Sequence, residues 1–281
     1  MIRKPDMESF LPEDFDPRSV LITVIAGRGD YPYLLSQRIK ERGIACRLIS
    51  LNGEASEALR ELFSPDEIAN ANIGQLGKVL RLLKDFGTTH VLLAGQIKPL
   101  RLFKDFKPDW RAFCLLRKIK ERNAETLFSE VCAQIESRGI TVLDARSFME
   151  DDIVARAGKF PIDRHVVEHG IYIATEIARL NIGQSVIVKN GTVLCVEGFD
   201  GTDGMIRKAG EFHVDDMVFV KTSKPHHDFR FDVPIFGETT LKLLHESGIR
   251  YAALEAGKTI ILNQKSVLQR AKELGITIFG Y

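Results

Sequence analysis

Along this chain, short β-branched apolar runs alternate with longer stretches whose apolar residues recur at helical spacing. After a polar arm to about Ser19, VLITVIAG (Val20 to Gly27) reads as a buried strand that ends at a glycine. YPYLLSQRIKERG follows with a helical period and stops at Gly43, a helix C-terminal signal. The alternation continues through strand IACRLISL, helix IGQLGKVLRLLKDFG, strand THVLLAG, a basic-aromatic segment, helix NAETLFSEVCAQIESRG and strand ITVLDA. Strands and helices in this order predict a Rossmann-like domain with a mainly parallel sheet and helices on both faces.

The pattern changes near SFMEDDIVARAGKFPID, which is acidic and then loop-like. The expected organisation is therefore an N-terminal arm over 1–19, a Rossmann-like domain over 20–150 and a mixed α/β domain over 151–281. In the second domain a long helix, DRHVVEHGIYIATEIARL, precedes SVIVKNGTVLCVE. Asn190-Gly191 between two β-rich runs is a strong hairpin signal and adds antiparallel content. A short helix MIRKAGE, strand MVFVKTS, helix TTLKLLHESG, strands YAALEAG and TIILN, helix KSVLQRAKELG and strand ITIFGY complete the chain.

Composition narrows the classes. With 281 residues, 44% hydrophobic and 27% charged, the chain suits two domains that each bury a core. Its 39 basic and 38 acidic residues give no bulk field for nucleic acid, so anion recognition must be local. Cys46, Cys114, Cys132 and Cys195 sit in apolar runs without a CxxC pair and read as buried, reduced thiols. The N-terminus lacks the apolar core of a signal peptide, and no apolar run approaches the ~20 residues that span a bilayer. A cytoplasmic protein is expected, with contact to a membrane surface and pairing of subunits left open.

Five segments carry candidate chemistry. IAGRGDYP sets Gly27, Gly29 and Asp30 between the first strand and its helix. A plain tight turn and a phosphate or sugar contact both satisfy it, whereas Pro32 at the third glycine position disfavours a dinucleotide. LLAGQIKPLRLFKDFKPDW repeats the arrangement with Gln96 and Lys98 beyond a strand end. Its cations, interleaved with Leu102, Phe103, Phe106 and Trp110, suit either a ligand with anionic and greasy parts or a solvated amphipathic helix. EGFDGTDGMIRKAGE gathers Glu197, Asp200, Gly201, Thr202 and Asp203, with Arg207 further on; a helix cap accounts for one oxygen, and Mg2+ or a phosphate-bound sugar suits the rest. HVVEH (His165 to His169) matches a zinc pattern but looks more like an ordinary packed helix. KPHHDFRFDVP (Lys224 to Pro234) is the densest: alternation sets Asp228, Arg230 and Asp232 on one face of an extended segment, yet Pro225 and Pro234 suggest a stiff loop.

These pieces together resemble the UDP-2,3-diacylglucosamine pyrophosphatases of lipid A biosynthesis, in the two-domain type unrelated to the calcineurin-like phosphoesterases. IAGRGDYP, LLAGQIKP with KPD, NIGQSVIV, VEGFDGTDGMIRKAG, KPHHDFRFDVPIFGETT, LEAGKTIILN and GITIFGY fall in order from Leu21 on. The resemblance implies a Mg2+-dependent hydrolase that splits a lipid-linked nucleotide sugar into UMP and 2,3-diacylglucosamine 1-phosphate (lipid X). It implies Asp228 as the essential aspartate and Asp232 as the second candidate, with Asp203 beside them as metal ligands. Lys224 and Arg230 would stabilise charge, and Gly27, Gly29, Asp30, Gln96, Lys98, Gly201, Thr202, Asp203 and Arg207 would bind substrate. The chain departs from the family pattern at His226-His227, at Asn123-Ala124-Glu125 and at Asn181.

Overall fold

A computed structural model describes residues 9–51, 54–96, 108–118, 124–225 and 227–281. Two compact units emerge: Ser9–Phe148 with Asp228–Asp232, and Met149–His227 with Val233–Tyr281. The five residues Asp228–Asp232 thus belong to the first unit although the chain on both sides of them belongs to the second.

In the first unit the order is β1 (Leu21–Ala26), α1 (Tyr31–Glu41), β2 (Ala45–Leu51), α2 (Glu57–Glu61), β3 (Ile68–Ala71), α3 (Leu76–Asp85), β4 (His90–Ala94), α4 (Trp110–Lys118), α5 (Ala124–Glu136) and β5 (Thr141–Val142). The sheet runs β3-β2-β1-β4-β5, every pair parallel. This is the Rossmann-like architecture expected from the alternation, and the order reverses between β1 and β4, where ligand crevices form in such sheets. Ile25, Ile49, Leu80, Leu83, Val91 and Ile135 lie in one buried cluster on this sheet.

The second unit holds α6 (Arg164–Arg179), β6 (Ser185–Lys189), β7 (Thr192–Val196), α7 (Gly201–Gly210), β8 (Val218–Lys221), β9 (Ile235–Phe236), α8 (Glu238–Glu246), β10 (Tyr251–Leu254), β11 (Ile260–Ile261), α9 (Gln264–Glu273) and β12 (Thr277–Gly280). Its main sheet is mixed, in the order β12-β10-β8-β6-β7, and β6 is antiparallel to both neighbours. The β6–β7 turn is the Asn190-Gly191 hairpin, with both residues at positive φ (45° and 80°), as a primed turn requires. α6 approaches the sheet so closely that a Cβ on Gly170 would lie 2.7 Å from Val220. Asn181, one of the departures from the family pattern, takes a left-handed φ of 57° just after α6, a conformation asparagine tolerates well.

Cys46, Cys132 and Cys195 are buried, and burial pushes the thiols of Cys46 and Cys132 up to about 12. Such thiols are poor nucleophiles. Among the described residues no helix is long and apolar enough to cross a membrane.

Candidate active site

The C-terminal unit assembles polar side chains where its strands end. β7, β8, β10 and β12 run in one direction, so Glu197, Thr222, Ser223, Glu255 and Tyr281 all follow a carboxyl end. Glu255 Oε2 accepts from the Ser223 amide (2.7 Å), the Ser223 hydroxyl (2.7 Å) and the Thr222 hydroxyl (3.0 Å), while Lys258 Nζ lies 2.6 Å from Oε1. Lys221 is buried, with Nζ 3.4 Å from Ser185 Oγ. Glu197 accepts from the Thr202 hydroxyl (2.8 Å) and the Gln184 amide (3.2 Å). Gly183 makes that approach feasible: a Cβ there would sit 2.3 Å from the Glu197 carbonyl oxygen, so any larger residue must move the backbone.

Electrostatics follow this wiring. Burial alone would raise the Glu197 carboxyl, but the Lys221 charge and hydrogen bonds from Thr202, Ser185 and Gln184 outweigh it and hold the group below its ordinary range. At Glu255 burial is likewise outweighed by Lys258 and Ser223, with the same result. A carboxyl depressed on folding contributes stability that is complete above its unfolded value, here 4.5, and is lost as the pH falls through the folded value. The melting temperature is therefore expected to decline as the pH drops below about 4.5. In Glu255→Gln that decline should be shallower. Calorimetry across the acid range checks this, and an unchanged slope in the variant counts against the assignment.

In the N-terminal unit, Asp228–Asp232 forms a turn. The Asp228 carbonyl accepts from the amides of Phe231 (3.5 Å) and Asp232 (3.4 Å), which decides for the loop over the extended segment. The physical reason is local. Asp228 Oδ1 accepts from the Arg230 amide (3.1 Å) and curls the backbone, and the guanidinium then closes on both oxygens, Nε to Oδ1 at 2.9 Å and Nη2 to Oδ2 at 2.7 Å. Arg230 Nη1 also reaches Glu136 at 2.8 Å. The Asp228 hydrogen bond raises the arginine's pKa more than partial burial lowers it, and Glu136 adds to the rise. Phe231 stacks on Phe128, with ring centroids 5.6 Å apart.

A second clamp of the same kind lies beside the first. Asp144 accepts from the Arg146 amide (2.8 Å), from its Nε (3.0 Å) and from its Nη2 (2.6 Å). The Ala145 amide donates to the Phe229 carbonyl at 2.7 Å, and the Arg146 guanidinium lies 3.6 Å from the Phe229 ring centroid and 4.1 Å from that of Phe10. This cation-π stack holds the Asp228 turn in place.

The glycine turn at the head of β1 serves a tighter purpose than the sequence suggests. The Gly27 amide donates to the Ala94 carbonyl and that of Arg28 to the Gln96 carbonyl, each at 2.8 Å, and the Gln96 amide returns to the Arg28 carbonyl at 3.0 Å. A Cβ on Gly27 would lie 2.6 Å from the Gln96 oxygen. These amides knit β1 to β4 and do not face a ligand, whereas Gly29 (φ 96°) and Asp30 remain at the start of α1. An apolar cavity of about 120 Å3 in this unit is lined by Ile25, Leu51, Leu76, Leu93, Leu115 and Phe128.

Other expected residues fall as follows. Lys224 is half-buried, and its amide donates to the His227 ring at 3.2 Å. Asp200 holds the N-cap of α7, Gly201 opens the helix at φ 71°, Asp203 lies in the first turn and Arg207 is exposed in the last. Thr202 is therefore no cap but a donor to Glu197. Glu168 of HVVEH pairs with Arg164 at 2.7 Å and His165 is exposed, as in an ordinary surface helix. Among the described residues no three His, Cys, Asp or Glu side chains converge as a metal site. Lys98, Leu102, Phe103, Phe106, Asn123 and His226 lie outside the described residues.

Comparison with known proteins settles the family. Residues 21–152 match the LpxI N-terminal domain and residues 151–279 the LpxI C-terminal domain. The chain belongs to the LpxI family. A Caulobacter vibrioides protein named UDP-2,3-diacylglucosamine pyrophosphatase LpxI is 27% identical over 273 residues, which cover 92% of this chain and 96% of that protein. Membership in the LpxI family agrees with the resemblance carried by the sequence segments.

Sequence reasoning on single motifs passed over Ser185, Lys221, Ser223, Glu255, Lys258 and Tyr281. For Ser185, Glu255 and Lys258 the signal was present in the segments NIGQSVIV and LEAGKTIILN, but a lone glutamate or serine beside a strand carries no chemistry until the sheet order brings the strand ends together.

Proposed function

We propose that this LpxI-family chain hydrolyses the diphosphate of UDP-2,3-diacylglucosamine to UMP and 2,3-diacylglucosamine 1-phosphate, a step of lipid A biosynthesis. The observation that carries this reading is the match, over 96% of its length, to a protein named for the pyrophosphatase activity, with both family domains on one chain.

Hydrolysis of a phosphoanhydride needs an aligned water and neutralised phosphoryl oxygens; it is mainly positioning and electrostatics. Water adds to one phosphorus, the bridging P–O bond breaks, and the second phosphate leaves as a monoester. Arg230, fixed by Asp228 and Glu136, is a permanent, oriented cation for the developing charge, and Lys224 is proposed as a further catalytic cation. Asp228 and Asp232 are proposed to orient the water. Asp30, Thr202, Asp203 and Arg207 are proposed substrate contacts, and the apolar cavity beside Phe128 is proposed to receive hydrocarbon.

Mg2+ is the proposed cofactor. Its usual ligands are one or two carboxylates, waters and substrate phosphates, and Asp228 and Asp232 at the two ends of one turn offer oxygen donors of that kind. When bound, the ion would neutralise phosphoryl charge. Asp228 would meet the ion with both oxygens also accepting from Arg230.

Incubation of purified protein with the lipid nucleotide and Mg2+, alongside an EDTA sample, is expected to release UMP only with free metal. Substrate bound without UMP release would mark a non-catalytic relative. UMP release undiminished by EDTA would remove Mg2+ from the mechanism.

A further inference from the structure

On the N-terminal unit, α4 carries two large aromatic side chains outward. Trp110 is 75% exposed and Phe113 42% exposed, and their rings stack with centroids 5.8 Å apart. Ala112 and Leu115 of the same helix are buried, so the helix has a core face and this second apolar feature on its solvent side. Trp110 lines an open groove together with Lys78, Arg81 and Lys84 of α3, Arg111 of α4 and Arg138. Asp109 is the one acid in that lining, and its oxygens accept the amides of Gly77 (2.6 Å), Lys78 (3.3 Å) and Ala112 (3.0 Å). Arg117 adds a further cation, 5.9 Å from the Phe113 ring centroid. Among the described residues none of Lys78, Arg81, Lys84, Arg111 and Arg117 has an acid partner within 4.0 Å.

We propose that this aromatic pair and its ring of cations form the surface by which the protein docks on an anionic phospholipid bilayer. Tryptophan favours the interface between headgroups and acyl chains, and clustered lysines and arginines are drawn to the negative surface potential of anionic lipid. An exposed apolar feature rimmed by charge also marks an interaction surface on general grounds. Nucleic acid is the weaker fit. The two rings occupy one another's faces, which leaves less for stacking on bases, and the chain as a whole has no basic excess. The proposal goes beyond the hydrolytic reading and stands on the patch alone.

Trp110 is the chain's single tryptophan, so its emission reports directly on this surface. The purified full chain would be titrated with vesicles of phosphatidylcholine alone and of phosphatidylcholine mixed with phosphatidylglycerol. A blue shift with the mixed vesicles only, reversed by raised salt, is expected. In flotation, Arg81→Glu with Lys84→Glu should lower binding at least tenfold, taking roughly fivefold per cation removed. Phe113→Ser should weaken it with the charges intact. No shift with either vesicle, an equal shift with both, a shift on concentrating the protein without lipid, or one with a single-stranded oligonucleotide at lower concentration would each overturn the proposal. UMP release from detergent-dispersed substrate is measured in parallel. Release without docking refutes the surface alone, and docking without release refutes the reaction alone.

Discussion

Asp228→Asn is expected to lower kcat for UMP release by about 10²- to 10⁴-fold, the range lost with a positioned acid-base group, while thermal unfolding moves little. The asparagine side-chain oxygen still accepts the Arg230 amide, which keeps the turn that Asp228 starts. What disappears is the negative charge, and with it the paired hold on the guanidinium now made at 2.9 and 2.7 Å. The neighbouring Asp144–Arg146 clamp supplies the control, because its bonds are nearly the same length and it touches the Asp228 turn through Phe229. Asp144→Asn should move thermal unfolding about as little as Asp228→Asn does and leave kcat within about tenfold, since the proposed reacting groups lie on the other clamp. If the two variants lose activity equally, Asp228 is a structural residue and the catalytic assignment fails. Full activity in Asp228→Asn would sink it outright.

The sequence makes the architecture legible because strand and helix periods are local. VLITVIAG and YPYLLSQRIKERG contain their own evidence, as does Asn190-Gly191, whose two positive φ angles are what that dipeptide favours. The site is less legible because its parts meet across long separations. Nothing within IAGRGDYP says that the Gln96 carbonyl will lie 2.6 Å from where a Gly27 Cβ would stand, so the sequence leaves a tight turn and a phosphate contact both open, whereas the structure shows the Gly27 and Arg28 amides bonded to the Ala94 and Gln96 carbonyls. Alternation in DFRFD points to a strand, yet one hydrogen bond from the Arg230 amide to Asp228 prevails over it. That Asp228–Asp232 groups with the first unit depends on Ala145, Arg146 and Phe128, residues far earlier in the chain. The oxygen cluster around Glu197 is visible as composition, but that Thr202 serves Glu197, and that Asp200 stands at the N-cap position without a side-chain capping bond, requires the backbone.

Lys221→Met is expected to destabilise the C-terminal unit, because it removes the buried ammonium whose charge does most to hold the half-buried Glu197 carboxyl below its ordinary range. Methionine nearly matches the lysine stem in length, so the core around β8 stays filled and the effect isolates the charge. Without it, burial at Glu197 is no longer outweighed by its main electrostatic partner, and the carboxylate is left to Thr202, Ser185 and the Gln184 amide. The Glu197 pKa should therefore rise, and the acid limb of the stability curve should become shallower. The melting temperature should fall below that of the parent protein at pH above the ordinary carboxyl value of 4.5, where Glu197 is charged, and the gap should narrow as acid protonates it. Adding Glu197→Gln to Lys221→Met separates charge from packing. If the uncompensated carboxylate is the cause, the double variant recovers much of the loss; if lost contacts of the lysine stem are the cause, the two changes add. Recovery would show that the strand-end cluster is a balanced ionic unit around Ser185, held in register by Gly183, on which the Thr202 and α7 contacts to Glu197 depend.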